Sequence, residues 1–196
     1  MKIIETNLKF KSLNQLRKPS MIVIHHAAHS SCTVEDVHNW HLANGWSGFG
    51  YHFFITKDGQ IYRGRSEGTT GAHCKNYNKV SLGICLQGNY DKEEVSYVQI
   101  AALIKLCHYL CKKYGIGTVK GHKELKSTNC PGMKFPLVKV KEKILQLMNF
   151  VDTYTVKSGD TLWSISKSFN LTINDLMKLN NLKDDLIYPN QVLRIM

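Results

Sequence analysis

The sequence has 196 residues, of which 43% are hydrophobic, and it carries a net charge of +11. This length suffices for one domain of about 150 residues and a small additional module, and the hydrophobic content argues against a disordered chain. Because the sequence has no run of about 18 apolar residues, we expect no membrane-spanning segment.

The first 150 residues alternate between predicted strands and predicted helices. Two pairs, Thr33 with Asp36 and Ser96 with Gln99, have the spacing of helix-starting boxes. The predicted strands are Met21–His26, Tyr51–Lys57, Gln60–Arg63, Ser81–Gln87 and Thr118–His122, and the predicted helices start at Thr33, at Ser96 and at Val138, the last ending at Met148. Strands that alternate with helices predict an α/β fold.

The composition changes near residues 150–153, so we place a domain boundary between residues 150 and 151. The segment that follows has the pattern strand, helix, helix, strand, with Thr161 and Thr172 as predicted helix caps. We expect Trp163 and Leu176 to pack in the core of this small unit.

The positive charge is unevenly distributed between these two segments. Residues 1–150 contain 21 Lys and Arg against 10 Asp and Glu, whereas residues 151–196 contain five of each. A basic surface attracts polyanions of many kinds. The sequence lacks a stripe of interleaved basic and aromatic residues, so we do not expect nucleic acid as a partner.

Six cysteines are present, and their spacing is not that of a small disulfide-rich scaffold. The segment Met1–Glu5 lacks the features of a secretory signal, so we expect synthesis in the cytoplasm and reduced thiols. Cys107 and Cys111 lie four residues apart on one helix face, where they could bind a metal or pack in the core. Their apolar neighbours favour core packing.

Two imidazoles and a thiolate are candidates for a metal site. His25 and His26 are adjacent in a predicted strand, so their side chains point to opposite faces and at most one is expected to bind the metal. Position alone does not choose between them. With His122 and Cys130, the set offers three protein ligands, which leaves a fourth position open, as in a catalytic zinc site.

Several motifs in fixed order extend this pattern over about residues 20–145. They are I-H-H-A, G-Y-H-F, G-A-H-C-K-N-Y-N, S-L-G-I and G-H-K-E-L, the last followed by N-C-P-G. In these motifs the chain resembles the zinc-dependent N-acetylmuramoyl-L-alanine amidases of type 2, a family that includes phage lysozymes and is similar to peptidoglycan recognition proteins. The resemblance implies a mixed central sheet flanked by helices, and a Zn²⁺ ion bound by His25, His122 and Cys130.

The resemblance also implies roles for four further residues. Tyr51 matches the active-site tyrosine of the family, whose phenol could hydrogen-bond the attacking water or the developing oxyanion. Thr128 stands where the phage branch has a lysine, and its hydroxyl can donate a hydrogen bond but supplies no cation. His73 and Asn78 match positions that line the groove for the muramyl-peptide.

The C-terminal unit, residues 151–196, resembles a LysM domain over nearly its full length. The matching segments are Y-T-V-K-S-G-D-T-L-W-S-I-S, I-N-D-L-M-K-L-N-N and I-Y-P-N-Q-V-L. The resemblance implies a βααβ fold that binds glycans containing N-acetylglucosamine. The residues it implies as glycan contacts are Gly159, Asp160, Thr161 and Leu162, together with the segment from Asn181 to Ile187.

Two functions from different classes follow. The first is a peptidoglycan hydrolase that cleaves the amide between N-acetylmuramic acid and L-alanine with zinc-activated water, held on the wall by LysM. The second is a peptidoglycan-binding protein without turnover. Non-catalytic relatives typically lack part of the metal set, notably the cysteine, so the presence of Cys130 favours the enzyme.

The resemblance also bears on where the protein acts. We expect it to be made in the cytoplasm and to reach the bacterial wall after release by a holin-type or other non-classical route. Its partners would be peptidoglycan and, through the basic first segment, anionic wall polymers. A phage endolysin, a prophage product and a bacterial autolysin all fit these expectations.

Overall fold

The computed structural model describes residues 1–16, 18–149 and 153–195. The chain forms two compact units, Met1–Met148 and Asn149–Met196. The predicted boundary between residues 150 and 151 lies outside the described residues. Within the described residues, no helix is both long enough and apolar enough to cross a membrane.

The first unit is built on a five-stranded sheet with three flanking helices. Its elements are β1 (Met21–His26), α1 (Val34–Ala43), β2 (Phe53–Ile55), β3 (Ile61–Arg63), β4 (Ser81–Leu86), α2 (Tyr97–Tyr114), β5 (Thr118–Gly121) and α3 (Leu137–Asn149). The strand order is β3-β2-β4-β1-β5. Among the strand pairs that the described residues form in this sheet, β2–β3 is antiparallel and the other three are parallel. The predicted mixed sheet flanked by helices is confirmed.

The two faces of the sheet pack against different elements. Ile22, Ile24 and the alternate residues of β4 belong to a large core that includes α2 and α3. Phe54 and Cys85 belong to a smaller core that includes Val34 and Val37 of α1. Cys107 and Cys111 are buried in the large core, as predicted. Because side chains alternate along a strand, His25 is directed to the α1 side and His26 to the α2 side.

The predicted strand Tyr51–Lys57 is too long at both ends. The observed strand β2 covers only Phe53–Ile55. At its end, the N–H of Thr56 donates to the carbonyl of Gln60, so the hairpin turn starts earlier than predicted. Tyr51 therefore lies in an irregular segment just before the strand, and not within it.

The second unit has the predicted order of strand, helix, helix and strand. Its elements are β6 (Thr153–Thr155), α4 (Leu162–Ser168), α5 (Ile173–Asn180) and β7 (Val192–Arg194), with the two strands antiparallel. The core contains Leu162, Ile165 and Leu176. Leu176 is buried as predicted, but the prediction for Trp163 is wrong, because 62% of this residue is exposed. Thr161 caps α4, which directs Leu162 and Ile165 inward and leaves Trp163 on the outer side.

Candidate metal centre

The first strand carries the two adjacent histidines to opposite faces of the sheet. His25 is almost fully buried, at 1% exposure, on the side of α1. His26 points to the other side, where its Nδ1 accepts a hydrogen bond from the backbone N–H of Tyr90 at 3.1 Å. That nitrogen of His26 therefore has a structural partner, and His25 is the histidine directed to the candidate site.

The structure brings together His25, His122 and Cys130. Their candidate ligand atoms all lie within 4.8 Å of one another. Nδ1 of His25 is 3.6 Å from Sγ of Cys130, and the rings of His25 and His122 have centroids 4.5 Å apart. Residues that are 97 and 105 positions from His25 in the sequence thus form one compact cluster.

The sheet topology explains why these residues meet. Strands β1 and β5 are parallel neighbours, so their carboxyl ends lie at the same edge of the sheet. His25 is near the end of β1, and His122 begins a short 3-10 helix directly after β5. The carboxylate of Glu124 accepts the N–H of Gly121 at 2.7 Å and fixes the start of this turn.

Burial favours the electrically neutral forms of the three candidate ligands when no cation is present. It lowers the pKa of His25 well below the usual value, and the neighbouring His73 and His122 add to this effect. It also raises the pKa of the Cys130 thiol to about 12. A divalent cation reverses this balance, because binding favours the thiolate and releases its proton.

His73 and Asn78 lie beside this cluster. Nδ1 of His73 is 3.0 Å from Nε2 of His25. Oδ1 of Asn78 accepts the backbone N–H groups of His73 and Cys74 at 2.9 and 2.8 Å. Asn78 therefore stabilises the loop that carries His73, and its side-chain oxygen already has two protein partners.

Tyr51 also reaches the cluster. Its ring centroid is 5.0 Å from that of His25, and its ring stacks on His73 at 6.0 Å. Burial raises the pKa of Tyr51 well above its usual value, so the phenol keeps its proton. A protonated phenol is a hydrogen-bond donor, which is the form that can stabilise a developing oxyanion.

Two residues that position Tyr51 were not predicted from the sequence. His38 and His41 lie on α1, and their Nδ1 atoms accept the N–H groups of Phe49 and Gly50 at 3.0 and 2.9 Å. They fix the segment that leads into Tyr51. The i,i+3 pair of histidines on one face of a predicted helix was the available signal.

Thr128 lies on the exposed loop before Cys130. Its Oγ1 accepts the backbone N–H of Cys130 at 3.3 Å. A hydroxyl that accepts one hydrogen bond can also donate one. Thr128 is thus placed next to a candidate ligand.

A cavity of about 460 Å³ adjoins the cluster. It is lined by Trp46, Ala72, His73, Cys74, Lys75, Asn78, His122 and Lys126. Its charged lining residues are both lysines, which suits a substrate that carries negative charge.

In the second unit, several residues predicted to contact a glycan also have structural roles. Asp160 accepts hydrogen bonds from the phenol of Tyr154 and the N–H of Lys157 at 2.8 and 2.7 Å. Leu162 is buried in the small core, so only its backbone is available to a ligand. Gly159 has a φ of +88°, a conformation that favours glycine.

The residues that bound the second predicted glycan segment, Asn181 and Ile187, also have structural roles. Asn181 ends α5 with a φ of +52°, in the left-handed region, where asparagine is tolerated well. Ile187 packs against the core. Side-chain contacts and backbone conformation therefore fix the shape of the two loops.

Comparisons with known proteins cover both units. Residues 15–133 match the family described as N-acetylmuramoyl-L-alanine amidase. Residues 154–195 match the family described as LysM domain.

Individual relatives agree with the first of these matches. The chain is 34% identical over 103 residues to the endolysin of Enterobacteria phage K11, and the match covers 50% of this chain and 68% of the relative. The structure of the N-acetylmuramoyl-L-alanine amidase LysC from Clostridium intestinale URNW is 41% identical, with a TM-score of 0.72, and the match covers 74% of this chain and 98% of that one. A mutant of Drosophila PGRP-LB, solved in complex with tracheal cytotoxin, is 27% identical with a TM-score of 0.63, over 68% and 89% of the two chains.

Proposed function

Because this chain belongs to the N-acetylmuramoyl-L-alanine amidase family, we propose that His25, His122 and Cys130 hold the zinc ion required for its amide hydrolysis. The chain is a peptidoglycan amidase with a wall-binding LysM domain. The bond cleaved joins N-acetylmuramic acid to L-alanine.

The separation of two candidate ligand atoms carries the proposal. In tetrahedral geometry, a Zn–S bond of about 2.3 Å and a Zn–N bond of about 2.1 Å place sulfur and nitrogen about 3.6 Å apart. Nδ1 of His25 and Sγ of Cys130 are 3.6 Å apart. Two nitrogens and one sulfur are also a donor set that zinc prefers, and three protein ligands leave room for water.

The chain's own residues then have distinct roles. When bound, zinc lowers the pKa of a water molecule and polarises a carbonyl oxygen. The phenol of Tyr51 donates a hydrogen bond to the oxygen of the scissile amide as negative charge develops there. The hydroxyl of Thr128, whose oxygen already accepts the N–H of Cys130, provides a second donor.

Substrate binding is divided between the two units. In the first, the cavity beside His122 takes the muramyl-peptide, with His73 and Asn78 on its wall. In the second, the backbone around Gly159, Asp160, Thr161 and Leu162 and the segment from Asn181 to Ile187 bind the glycan. We retain 1–150 and 151–196 as the two functional domains.

The wall is the site of action. Relatives of this chain are endolysins, enzymes that act on the cell wall after release. We propose that this chain likewise acts after a holin-type or other non-classical release. The excess positive charge of residues 1–150 adds attraction to anionic wall polymers.

Analysis of the digestion products tests this function. Purified peptidoglycan is treated with the parent protein and with Cys130→Ser, and new amino termini are identified by mass spectrometry. We expect new L-alanine amino termini in the parent digest alone. New reducing ends of sugars, or new termini at another stem residue, would contradict the proposed bond. Wall binding without any product would support the non-catalytic alternative.

A further inference from the structure

The two ring nitrogens of His25 have different neighbours. Nδ1 faces Sγ of Cys130 at 3.6 Å, and Nε2 faces Nδ1 of His73 at 3.0 Å. A neutral imidazole carries one proton, on one of its two nitrogens. Only the form with the proton on Nε2 leaves the Nδ1 lone pair free for a metal.

The structure contains the groups that select this form. A hydrogen bond between Nε2 of His25 and Nδ1 of His73 requires one proton between the two nitrogens. If His25 donates, His73 must accept at Nδ1 and carry its own proton on Nε2. The group that Nε2 of His73 faces therefore decides which nitrogen donates in the hydrogen bond between His25 and His73.

The far side of the His73 ring faces the hydroxyl of Ser81. Its Nε2 is 3.5 Å from Oγ of Ser81, and that hydroxyl donates to the carbonyl oxygen of Tyr77 at 2.7 Å. Because a carbonyl oxygen only accepts, the proton of Ser81 is used there, and Oγ can only accept from His73. The short bond to Tyr77 sets the direction of each bond that follows. Nε2 of His73 is thus the donor towards Ser81, and Nδ1 is left as the acceptor.

The ring of His73 is held tightly in this position. A Cβ atom on Gly83 would lie 2.6 Å from the ring, and one on Gly71 would lie 2.4 Å from Cδ2. The backbone N–H of His73 is fixed by Asn78 at 2.9 Å. Two glycines make room for the ring, and Asn78 holds its backbone.

We propose that His73 is a positioning residue that fixes the proton of His25 on Nε2 and so presents Nδ1 to the metal. Metal-bound histidines commonly donate their second N–H to such a partner, which orients the ring. Both nitrogens of His73 then have protein partners, so His73 offers the cavity only its ring surface. This inference rests on the proposed zinc site.

Zinc affinity and proton position test the inference together. Zinc dissociation constants are measured by competition with a chromophoric chelator for the parent, His73→Leu and His73→Asn. We expect His73→Leu to bind zinc about 10–100-fold more weakly. His73→Asn should lie closer to the parent, because its amide oxygen can accept from Nε2 of His25 near the position of Nδ1.

A second readout does not depend on any variant folding. Nitrogen-15 NMR of the zinc-free parent reports which nitrogen of His25 carries the proton. We expect the proton on Nε2, and a proton on Nδ1 would overturn the inference. Equal zinc affinity in the parent and a folded His73→Leu would also overturn it.

Controls separate this inference from the proposed function. His29→Leu removes an exposed histidine that is not one of the three candidate ligands and should bind zinc as the parent does. If Cys130→Ser loses zinc and His73→Leu does not, the positioning role alone is wrong. If the parent itself binds no zinc, the proposed metal site is wrong, and the role of His73 is overturned with it.

Discussion

The backbone N–H of Lys123 donates a hydrogen bond to the carbonyl oxygen of Cys130 at 2.7 Å. This bond joins the residue after His122 to Cys130 itself, so two candidate ligands share one backbone frame. The loop that carries Cys130 has a further contact, in which the carboxylate of Asp91 accepts a hydrogen bond from the N–H of Met133 at 2.9 Å. The frame is formed by protein contacts alone, and we expect it to be present before a metal binds.

The phenol of Tyr51 is predicted to act on the transition state. Tyr51→Phe keeps the ring and removes the phenol donor, so kcat should fall by roughly 10²-fold, the scale for one oxyanion donor. Zinc content and the unfolding temperature should stay near those of the parent. Steady-state kinetics on a soluble muramyl-peptide measure the effect, and an unchanged kcat would assign Tyr51 to packing only.

The two adjacent histidines are predicted to differ in zinc binding. His26→Ala should retain zinc, since its side chain points to the opposite face of the sheet from His25. It should lower the free energy of unfolding by about 1–3 kcal/mol, because the N–H of Tyr90 loses its acceptor. His25→Ala is the matched control and should lose zinc. Zinc loss in the His26 variant alone would reverse the assignment.

Acid is predicted to destabilise the zinc-free protein as soon as the pH falls below the ordinary pKa of histidine, 6.5. Burial lowers the pKa of His52 and of His41 from 6.5 to about 4. Between these two pH values the unfolded chain binds more protons than the folded one. The contribution of these two histidines to the free energy of unfolding is therefore fully present above pH 6.5 and is lost as the pH falls towards 4.

Urea unfolding of the zinc-free protein at pH 7, 6 and 5 measures this effect. Burial also lowers the pKa values of His25, His26, His73 and His122. The free energy of unfolding should therefore decrease steeply over this pH range. A free energy that does not change between pH 7 and pH 5 would contradict the buried neutral state of these histidines.

Hydrolysis and wall anchoring are predicted to separate near residue 150. The three proposed zinc ligands precede this point, and so do Tyr51 and Thr128. Residues 151–196 contain no His or Cys. A protein ending at residue 150 should cleave soluble muramyl-peptides at the parent rate. It should bind intact walls more weakly, and the remaining binding should be sensitive to salt because this segment carries the excess positive charge.

Comparison with the isolated C-terminal segment completes this test. Residues 151–196 have no net charge, so their binding to glycan should depend little on salt. If the shortened protein folds but no longer cleaves the small soluble substrate, part of the active site lies in the LysM unit, and the division is wrong.

The sequence was sufficient for the features that depend on periodicity and strand direction. Alternation along β1 predicted that His25 and His26 face opposite sides, and the order of strands and helices predicted the α/β sheet. The resemblance was needed to choose His25, because each histidine by itself fits a buried strand equally well.

The remaining features depend on contacts between distant segments. The bond between His25 and His73 spans 48 positions, and nothing in the local pattern of either segment indicates it. Trp163 was predicted to be buried, but the cap at Thr161, itself predicted from the sequence, sets the phase of α4 and turns this residue outward. The error for Trp163 is therefore one that the local sequence could have corrected.

Stepwise reconstitution with zinc tests the central claim most directly. Chelator-treated parent protein is titrated with zinc while release of L-alanine amino termini from peptidoglycan is recorded, with Cys130→Ser as the control. We expect that activity rises linearly and stops at one zinc ion per chain, and that the control neither retains zinc nor gains activity. Full activity of the parent without zinc, or zinc-dependent activity in the Cys130→Ser protein, would contradict it.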